Sequence, residues 1–572
     1  MTNNLLGSLI NNLEWVTRVF TMQNIWIVLL ISVLNGVLML FASHRYMLAL
    51  QQLGYKGRKY FGWLKTKGNN QLSRLLLLTL MSFLFFCVFN LSMTAFFKPS
   101  GKNGTLSEVP AYLGFIVYLF FMFAYIITES KVRAKIPLRI TRRFVRLAVT
   151  QIFLSAVVTF GLLLLINFVS GWLKSEVIYI LRYALISVIP ILAPFVLLLS
   201  NVILKPFEKL NEKHYMSIAK AKLSNSQIIK IGITGSFGKT GVKAILTTIL
   251  SEKFRVLATP KSYNTPLGIS LAIQKLDSTH DIFIAEMGAR RVGEISDLAT
   301  MVNPDIAVLT GINEQHLETF SSVENIKKTK FELFEHLKKG GKGFFSCDNN
   351  GSKELYDSWQ GEKYLAGITA TNGNMYAKDI KITAKGSVFT LCADGKEIEC
   401  TTSLLGTHNI TNICLATCVA YELGLSLDEI RAGINKIRTV THRLSIVPNN
   451  KGIIIVDDSY NSNMDGLKGA IEVISQFEGR KIIVTPGLVE LGDKQVEMNI
   501  QAGKLIANAF DKVIVVGKTN AEALVKGLLE GGKTGEDVLY EKNSERGNEA
   551  LNTILQTGDV VLFENDLPDT YY

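Results

Sequence analysis

The sequence of 572 residues has few cysteines, and no two of them form a CxxC pair. The six are Cys87, Cys347, Cys392, Cys400, Cys414 and Cys418. Cys414 and Cys418 lie four residues apart on a predicted helix, where packing in a core is favoured over binding of a metal ion. The absence of paired cysteines is in keeping with a reducing compartment.

Three other kinds of pattern are absent. The chain contains no solenoid-type repeat and no low-complexity tract. Its polar part does not interleave aromatic with basic residues, so we expect no nucleic-acid partner. The N-terminus lacks a charged n-region and the first apolar block is long enough to span a membrane, so we expect no cleavable signal.

Long apolar blocks are concentrated at the start of the chain. Residues 1–205 are dominated by Leu, Phe, Ile and Val, whereas the remainder has an ordinary α/β composition. A helix needs about 20 apolar residues to cross about 30 Å of hydrocarbon. This length predicts five membrane-spanning helices, at residues 25–42, 75–93, 112–127, 152–169 and 177–204.

The net charge of +12 is concentrated in loops between these blocks. Residues 44–74 and 131–146 are rich in Lys and Arg, while the loops near Gly101 and Lys174 are nearly uncharged. The positive-inside rule places the basic loops in the cytoplasm. We therefore expect the N-terminus outside and everything after Lys205 inside.

A glycine-rich segment follows a predicted buried strand at residues 228–233. It contains Gly235, Ser236, Gly238, Lys239 and Thr240, and helical periodicity begins at Lys239. Glycines let backbone N–H groups approach phosphate oxygens, and the helix N-terminus adds partial positive charge. In such a loop the lysine reaches phosphates and the threonine binds Mg²⁺. The full eight-residue P-loop pattern fails because its first glycine falls on Ile233, so only the shorter GxxGKT form predicts a nucleotide site.

Three further segments place polar residues after predicted strands or on a helix. DIFIAEMGAR ends a strand with Glu286, DIAVLTGINEQHLETF puts His316 beyond the next strand, and KKTKFELFEHL carries Lys328 and Lys330. Ligands of doubly wound sheets lie at such strand ends. Taken singly, a capping Glu, a structural His and solvated lysines would account for these residues.

Together, these motifs resemble the Mur ligase family of ATP-dependent amide-bond ligases, and within it the branch that adds D-alanyl-D-alanine. The resemblance covers roughly residues 225–560. It continues through SYNTPLGISLAI, LLGTHNITNICLAT, THRLSI, IIIVDDSYNSN and PGLVELGD.

The resemblance implies ATP chemistry with Mg²⁺, and with two ions in the site. A substrate carboxylate is phosphorylated and an amine then attacks the acyl phosphate. Thr240 and Glu286 would hold one ion, and His316 with a carbamylated Lys330 would hold the other. Lys330 is preferred over Lys328 because it directly precedes the apolar FEL turn.

The resemblance also implies a set of residues around the nucleotide. His408 and Asn409, joined by Asn412, match positions near it. Arg443 matches an arginine that reaches the γ-phosphate. Asp458 matches a residue that contacts the ribose, and Tyr460 and Asn461 lie close to it. Because Arg443 and Asp458 belong to another domain, we expect domain closure to complete the site.

Three departures from the family pattern stand out. Gly241 replaces a second threonine after the Lys-Thr pair, and the C-terminus, LFENDLPDTYY, lacks a basic tail containing glycine. Apolar segments stand where the family has a domain that binds a UDP-sugar. Recognition of the carboxylate substrate is therefore expected to have changed.

The predicted fold is an α-helical transmembrane region followed by α/β domains. We expect a transmembrane domain at 1–205, a linker at 206–224, a central P-loop ATP-binding domain at 225–441 and a C-terminal Rossmann-like domain at 442–572. Residues 350–405 predict an antiparallel insertion in the central domain, and the last domain predicts a mostly parallel sheet.

The favoured function is a ligase embedded in the bacterial plasma membrane, with its catalytic domains in the cytoplasm. It would join an amino acid or another amine to a carboxylate of a cell-envelope glycan or a lipid-linked sugar. The alternative is a peptidoglycan-precursor ligase that adds D-alanyl-D-alanine. A P-loop ATPase for transport or sensing is a third hypothesis, disfavoured because the apolar helices offer few polar residues besides Arg182.

Overall fold

The computed structural model describes residues 22–66, 68–96, 109–131, 137–172, 186–314, 317–369, 373–383, 386–439, 442–448, 452–460 and 462–565. The chain divides into two compact units, and the boundary lies between Lys209 and Leu210. The domain bounds expected from the sequence stay a prediction.

The N-terminal unit is helical throughout its described residues. Its helices are α1 (Met22–Ala42), α2 (His44–Gln52), α3 (Gly57–Thr66), α4 (Asn69–Phe96), α5 (Val109–Ser130), α6 (Arg142–Trp172) and the first part of α7 (Ala193–Ser224), which follows a 3₁₀ turn at Ile189–Leu192. The residues expected to form a linker, 206–224, continue α7.

Three stretches of the described residues are long and apolar enough to cross a membrane: Ile25–Ala42, Arg142–Ile166 and Ile189–Ser224. A shorter apolar helical stretch covers Ile116–Ser130. All five predicted segments overlap helices, but their number of crossings and their orientation stay predictions. Part of the fifth segment, with Arg182, lies outside the described residues.

Buried polar side chains form hydrogen bonds between the helices of this unit. Asn35 donates a hydrogen bond to Thr159 (3.0 Å) and accepts one from Tyr118 (2.5 Å), which links α1, α5 and α6. Large apolar side chains such as Trp26 and Phe153 are exposed. Apolar outer faces around satisfied polar groups are the arrangement expected of helices in lipid.

The second unit begins with a nine-stranded sheet. Its strands are β1 (Ile229–Thr234), β2 (Val256–Ala258), β3 (Ile282–Glu286), β4 (Ile306–Leu309), β5 (Lys342–Ser346), β6 (Glu362–Gly367), β7 (Met375–Thr383), β8 (Gly386–Ala393) and β9 (Lys396–Thr402). The spatial order is β2-β3-β1-β4-β5-β6-β7-β8-β9. Strands β2 to β7 pair in parallel, and β7, β8 and β9 are antiparallel.

The predicted antiparallel insertion is confirmed for β7 to β9. It is wrong for the residues before them, because 350–358 form a helix and β6 joins the parallel part of the sheet. The pattern there came from a half-exposed helix and a partly exposed parallel strand, which the sequence does not distinguish from antiparallel strands.

Helices cover both faces of this sheet. They are α8 (Lys239–Leu250), α9 (Pro266–Ile273), α10 (Glu294–Val302), α11 (Leu317–Phe320), α12 (Val323–Glu335), α13 (Asn350–Ser358), α14 (Thr407–Glu422) and α15 (Leu427–Asn435). One apolar core includes Ile231, Leu246 and Leu415, and the other includes Phe283, Leu309 and Leu333. Alternate residues of the parallel strands enter opposite cores because side chains alternate between the two faces of a sheet.

A six-stranded sheet forms the last domain. Its strands are β10 (Ser445–Val447), β11 (Ile454–Asp458), β12 (Lys481–Thr485), β13 (Lys512–Val516), β14 (Val538–Glu541) and β15 (Val560–Glu564), in the order β10-β11-β15-β12-β13-β14. Only β10 is antiparallel to its neighbour, so the predicted mostly parallel sheet is confirmed. The helices are α16 (Met464–Ser475), α17 (Gln495–Ala509), α18 (Ala521–Glu530) and α19 (Ser544–Ile554).

Candidate active site

The glycine-rich loop lies between β1 and α8, at the carboxyl end of the parallel strands. Gly238 has φ +77°, a left-handed conformation that disfavours residues with a Cβ. Gly235 lies close to Thr310, because a Cβ at this position would lie 2.1 Å from Oγ1 of Thr310. The two glycines therefore let the backbone of this loop run close to the end of β4.

Lys239 begins α8 and folds its side chain back over the loop. Its Nζ donates hydrogen bonds to the carbonyl oxygens of Gly235 (2.6 Å) and Ser236 (3.0 Å). Burial lowers the pKa of Lys239 to about 8, Glu286 opposes this shift, and Arg443 adds to it. The lysine is thus a half-buried cation that carbonyl groups hold at the loop.

Glu286 is the centre of a buried polar cluster at the end of β3. Its carboxylate accepts hydrogen bonds from Thr240 (3.1 Å), Lys243 (2.9 Å) and Asn264 (3.1 Å). The sequence prediction that Thr240 and Glu286 lie together agrees with this geometry. It missed Lys243, whose spacing of four from Lys239 on α8 was the available signal, because such residues share one helix face.

Lys330 lies on the buried face of α12, together with Ile326 and Leu333. Burial lowers its pKa to about 7, with a further contribution from the charge of Lys239 and opposing ones from Glu332 and Glu294. Among the described residues, no oxygen accepts a hydrogen bond from its Nζ. Lys328 is exposed, as expected of the alternative lysine. His316 lies outside the described residues.

Three further predicted residues lie at the start of α14. His408 is half-buried, and burial together with the charge of Arg443 lowers its pKa to about 4. The amide of Asn412 lies against Gly238, since a Cβ there would be 2.9 Å from its Oδ1. Asn409 donates to the carbonyl of Leu405 (2.7 Å) and so satisfies the backbone at the helix start.

The last domain contributes Arg443, Asp458 and Tyr460. The Arg443 guanidinium lies over the Tyr460 ring at 4.5 Å, and the Tyr460 hydroxyl lies 2.6 Å from Ser262 of the central domain. Burial raises the pKa of Asp458 to about 6, while Arg443 opposes the shift. Asn461 lies outside the described residues. The two domains are thus in contact beside the glycine-rich loop.

Two models of known protein families match the second unit of the chain. Residues 233–420 match the model of the Mur ligase middle domain, and residues 442–564 match that of the Mur ligase glutamate ligase domain. The chain belongs to the Mur ligase family. Mur ligases are ATP-dependent, ADP-forming carboxylate–amine ligases. Neither Mur ligase model covers residues 1–232.

Two curated Mur ligases illustrate the extent of the similarity. The UDP-N-acetylmuramoyl-tripeptide–D-alanyl-D-alanine ligase of Haemophilus influenzae is 31% identical over 306 residues, covering 53% of this chain and 66% of the relative. The enzyme of the same name from Escherichia coli is 30% identical, covering 50% of this chain and 64% of the relative. The chain thus spans somewhat less than two thirds of the length of these relatives.

Among solved structures, MurF ligase from Thermotoga maritima in complex with ADP superposes with a TM-score of 0.56 at 27% identity. The match covers 62% of this chain and 80% of the other. This superposition supports the two-domain α/β fold of the matched region.

The residues at this Mur ligase site fit ATP and Mg²⁺. The two glycines leave room for backbone to approach a phosphate, and the half-buried Lys239 and the buried Lys330 provide positive charge. Thr240 and Glu286 offer hydroxyl and carboxylate oxygens, which are the ligands that Mg²⁺ prefers. Within the described residues, no group of three or more His, Cys, Asp or Glu residues could hold a metal ion, so the number of ions stays a prediction.

Proposed function

We propose that this protein is an ATP-dependent ligase that joins D-alanyl-D-alanine to the carboxyl group of a cell-wall peptide precursor, with release of ADP and phosphate. The relatives carry this activity in their names, and the resemblance covers the two domains that would bind the nucleotide and the amine. The amine and the carboxylate are both proposals for this chain.

The observation that carries the proposal is a pair of lysines at this site that are shielded from solvent. Lys330 is buried and Lys239 is half-buried, both have a lowered pKa, and the charge of Lys239 contributes to the lowered pKa of Lys330. Two like charges in a buried site are costly unless anions compensate them. A triphosphate beside a substrate carboxylate supplies such anions.

Each residue of the site has a proposed role. Lys239 and Arg443 would neutralise the terminal phosphates, and Thr240 and Glu286 would hold Mg²⁺. The bound ion would shield phosphate charge during transfer. Lys330 would enter the metal site as a carbamate, because a free ammonium has no lone pair for a metal. His408, Asn412 and Asp458 would line the nucleotide pocket.

A second acceptor is favoured by the N-terminal unit. Its apolar helices occupy the chain region before the family match, and they support a membrane-held carboxylate on a glycan or a lipid-linked sugar. Confinement to a bilayer would raise the effective concentration of such an acceptor. In this version the enzyme lies in the plasma membrane with its α/β domains in the cytoplasm.

A reconstituted reaction tests both versions. The full chain in lipid nanodiscs would receive ATP, Mg²⁺, D-alanyl-D-alanine and either UDP-N-acetylmuramoyl-tripeptide or an extract of lipid-linked envelope precursors. Mass spectrometry would detect a product heavier by one dipeptide minus water, together with ADP. Product with the soluble tripeptide supports the first version, and product only with the lipid extract supports the second. Turnover of ATP that requires neither substrate would instead indicate an ATPase.

A further inference from the structure

Glu490 lies on the loop that follows β12, in the PGLVELGD motif to which no role is yet assigned. Its carboxylate is 3.3 Å from the guanidinium of Arg290, which follows β3 in the central domain. Both residues therefore lie just beyond the carboxyl ends of parallel strands. That edge is where open α/β sheets bind their ligands.

The backbone at Glu490 adopts a left-handed conformation, with φ +64°. This conformation is unfavourable for a residue with a Cβ and persists only where the surroundings enforce it. Such strain is concentrated at functional sites. A glycine would hold this turn without strain, so a carboxylate here suggests a requirement for the side chain.

Buried side-chain amides enforce the loop conformation. Asn499 accepts from the backbone N–H of Leu488 (2.9 Å) and donates to its carbonyl (3.0 Å). Asn520 donates to the carbonyls of Pro486 and Leu488, both at 3.0 Å. Asn499 is fully buried and Asn520 is nearly so, and the loop is therefore a rigid support for Glu490.

The Arg290 turn is equally well tied to the proposed reaction site. Glu294 accepts hydrogen bonds from the backbone N–H groups of Arg290 (2.7 Å) and Arg291 (3.2 Å). The charge of Glu294 also acts on Lys330. Arg290 is only four residues from Glu286 along the chain. Through Glu294, the Arg290–Glu490 pair is therefore linked to Lys330, one of the residues proposed for the metal site.

We propose that Glu490 and Arg290 together recognise the amine substrate as a zwitterion, with Glu490 receiving its ammonium and Arg290 its carboxylate. The proposal rests on the proposed function, in that the amine is an amino acid or a short peptide. In the free protein the two side chains satisfy each other. A zwitterion entering between them exchanges one ion pair for two, so neither charge is left unpaired.

A purely structural role would be that of a latch between the domains. The chain offers a matched control for it, because Lys494 and Glu314 form another ion pair between the same domains, at 2.6 Å. Lys494→Gln removes that pair without touching the proposed amine site. Loss of a latch should weaken binding of every ligand alike. Loss of a recognition residue should weaken only ligands that carry the charged group it binds.

The test measures binding of three dipeptides to the full chain in nanodiscs, in the presence of a non-hydrolysable ATP analogue and Mg²⁺. The probes are D-alanyl-D-alanine, its N-acetyl derivative and its C-terminal amide, and the method is isothermal titration. Glu490→Gln should weaken binding of the free dipeptide at least tenfold and leave binding of the N-acetyl derivative within twofold. Arg290→Gln should weaken the free dipeptide likewise and leave the amide within twofold. Lys494→Gln should change none of the three.

Two results would overturn the proposal. One is a wild-type protein that binds the free dipeptide no better than its capped derivatives. The other is a Glu490→Gln variant that weakens all three probes equally. Unchanged affinity for the ATP analogue would show that the variants keep their fold.

A parallel reaction keeps this result separate from the proposed function. Hydroxylamine is a small amine without a carboxylate, and it traps an activated acyl group as a hydroxamate. Wild type should form the hydroxamate from ATP and the acceptor. Failure of the wild type to form it would count against the proposed ligase, whereas dipeptide binding judges the Glu490 site alone.

Discussion

The Lys243 ammonium and the Glu286 carboxylate form a buried ion pair, with 2.9 Å between Nζ and Oε2. Both side chains are almost fully excluded from solvent. The same carboxylate accepts hydrogen bonds from Thr240 and Asn264. These three donors compensate the buried carboxylate and hold it beside Thr240, which is proposed to bind Mg²⁺ together with it.

Lys243→Met should destabilise the central domain by about 3–5 kcal/mol, because it leaves Glu286 charged, buried and without its cation. Urea denaturation of the full chain in detergent measures this change. Adding Glu286→Gln to the same chain should recover part of the loss, since the buried charge is then gone. A double variant as unstable as the single one would contradict the ion-pair argument.

Lys239→Ala should lower ligation at least about 100-fold, as loss of a single group that stabilises transition-state charge does elsewhere. Product formation under saturating ATP is the measurement. Lys436→Ala is the control, because Lys436 pairs with Glu252 on the exposed surface at 2.7 Å. Full turnover by Lys239→Ala would remove the nucleotide assignment of the loop.

Lys330→Ala should be nearly inactive, and a short carboxylate such as acetate should restore part of the rate. The reason is that the carboxylate would replace the oxygens of a carbamate. Lys328→Ala, on the exposed face of the same helix, should keep wild-type activity. An equal loss in both variants, or no rescue at any carboxylate concentration, would count against Lys330 as a metal ligand.

The dependence of enzyme activity on bicarbonate is a second test of the carbamylation of Lys330. Only the neutral amine reacts with CO₂, and the pKa of about 7 places half of the side chain in that form near neutral pH. At equal concentrations of dissolved CO₂, enzyme depleted of bicarbonate should therefore regain activity faster at pH 8 than at pH 6. Recovery that is faster at pH 6 would argue against carbamylation.

His408 makes stability depend on pH. Its pKa is about 4 in the folded protein and 6.5 as the ordinary value, so the unfolded chain binds more protons between these limits. The contribution is present above pH 6.5 and is lost as the pH falls toward 4. Between pH 7 and pH 5, wild type should lose about 2 kcal/mol of unfolding free energy relative to His408→Gln. Asp458 titrates in the same range with the opposite sign, but both chains contain it, and equal pH slopes would contradict the assignment.

The candidate site was predictable from the sequence where local motifs carry it. The β1–loop–α8 arrangement follows from a β-branched run, two glycines and a helical pattern, and Glu286 follows from its place after an apolar strand. Lys243 was missed because its role depends on the approach of β3 to α8. The antiparallel strands were placed too early because residues 350–367 mix half-exposed helix and strand patterns.

Glu490 illustrates the same limit in the last domain. Its motif was recognisable, but nothing in the sequence predicts its contact with Arg290, which lies 200 residues earlier. Its left-handed backbone also depends on Asn499 and Asn520, which come from two different helical regions of the chain. Contacts of this kind arise only when two sheets are brought together.

The sequence by itself determined the apolar helices, the strands and the glycine-rich loop, because each depends on neighbours within a few residues. The tertiary structure alone decided which charges are buried and which are paired. The burial of Lys330 and the partial burial of His408, and therefore their lowered pKa values, result from packing between distant segments. That packing sets the local dielectric environment, and no single segment of the chain determines it.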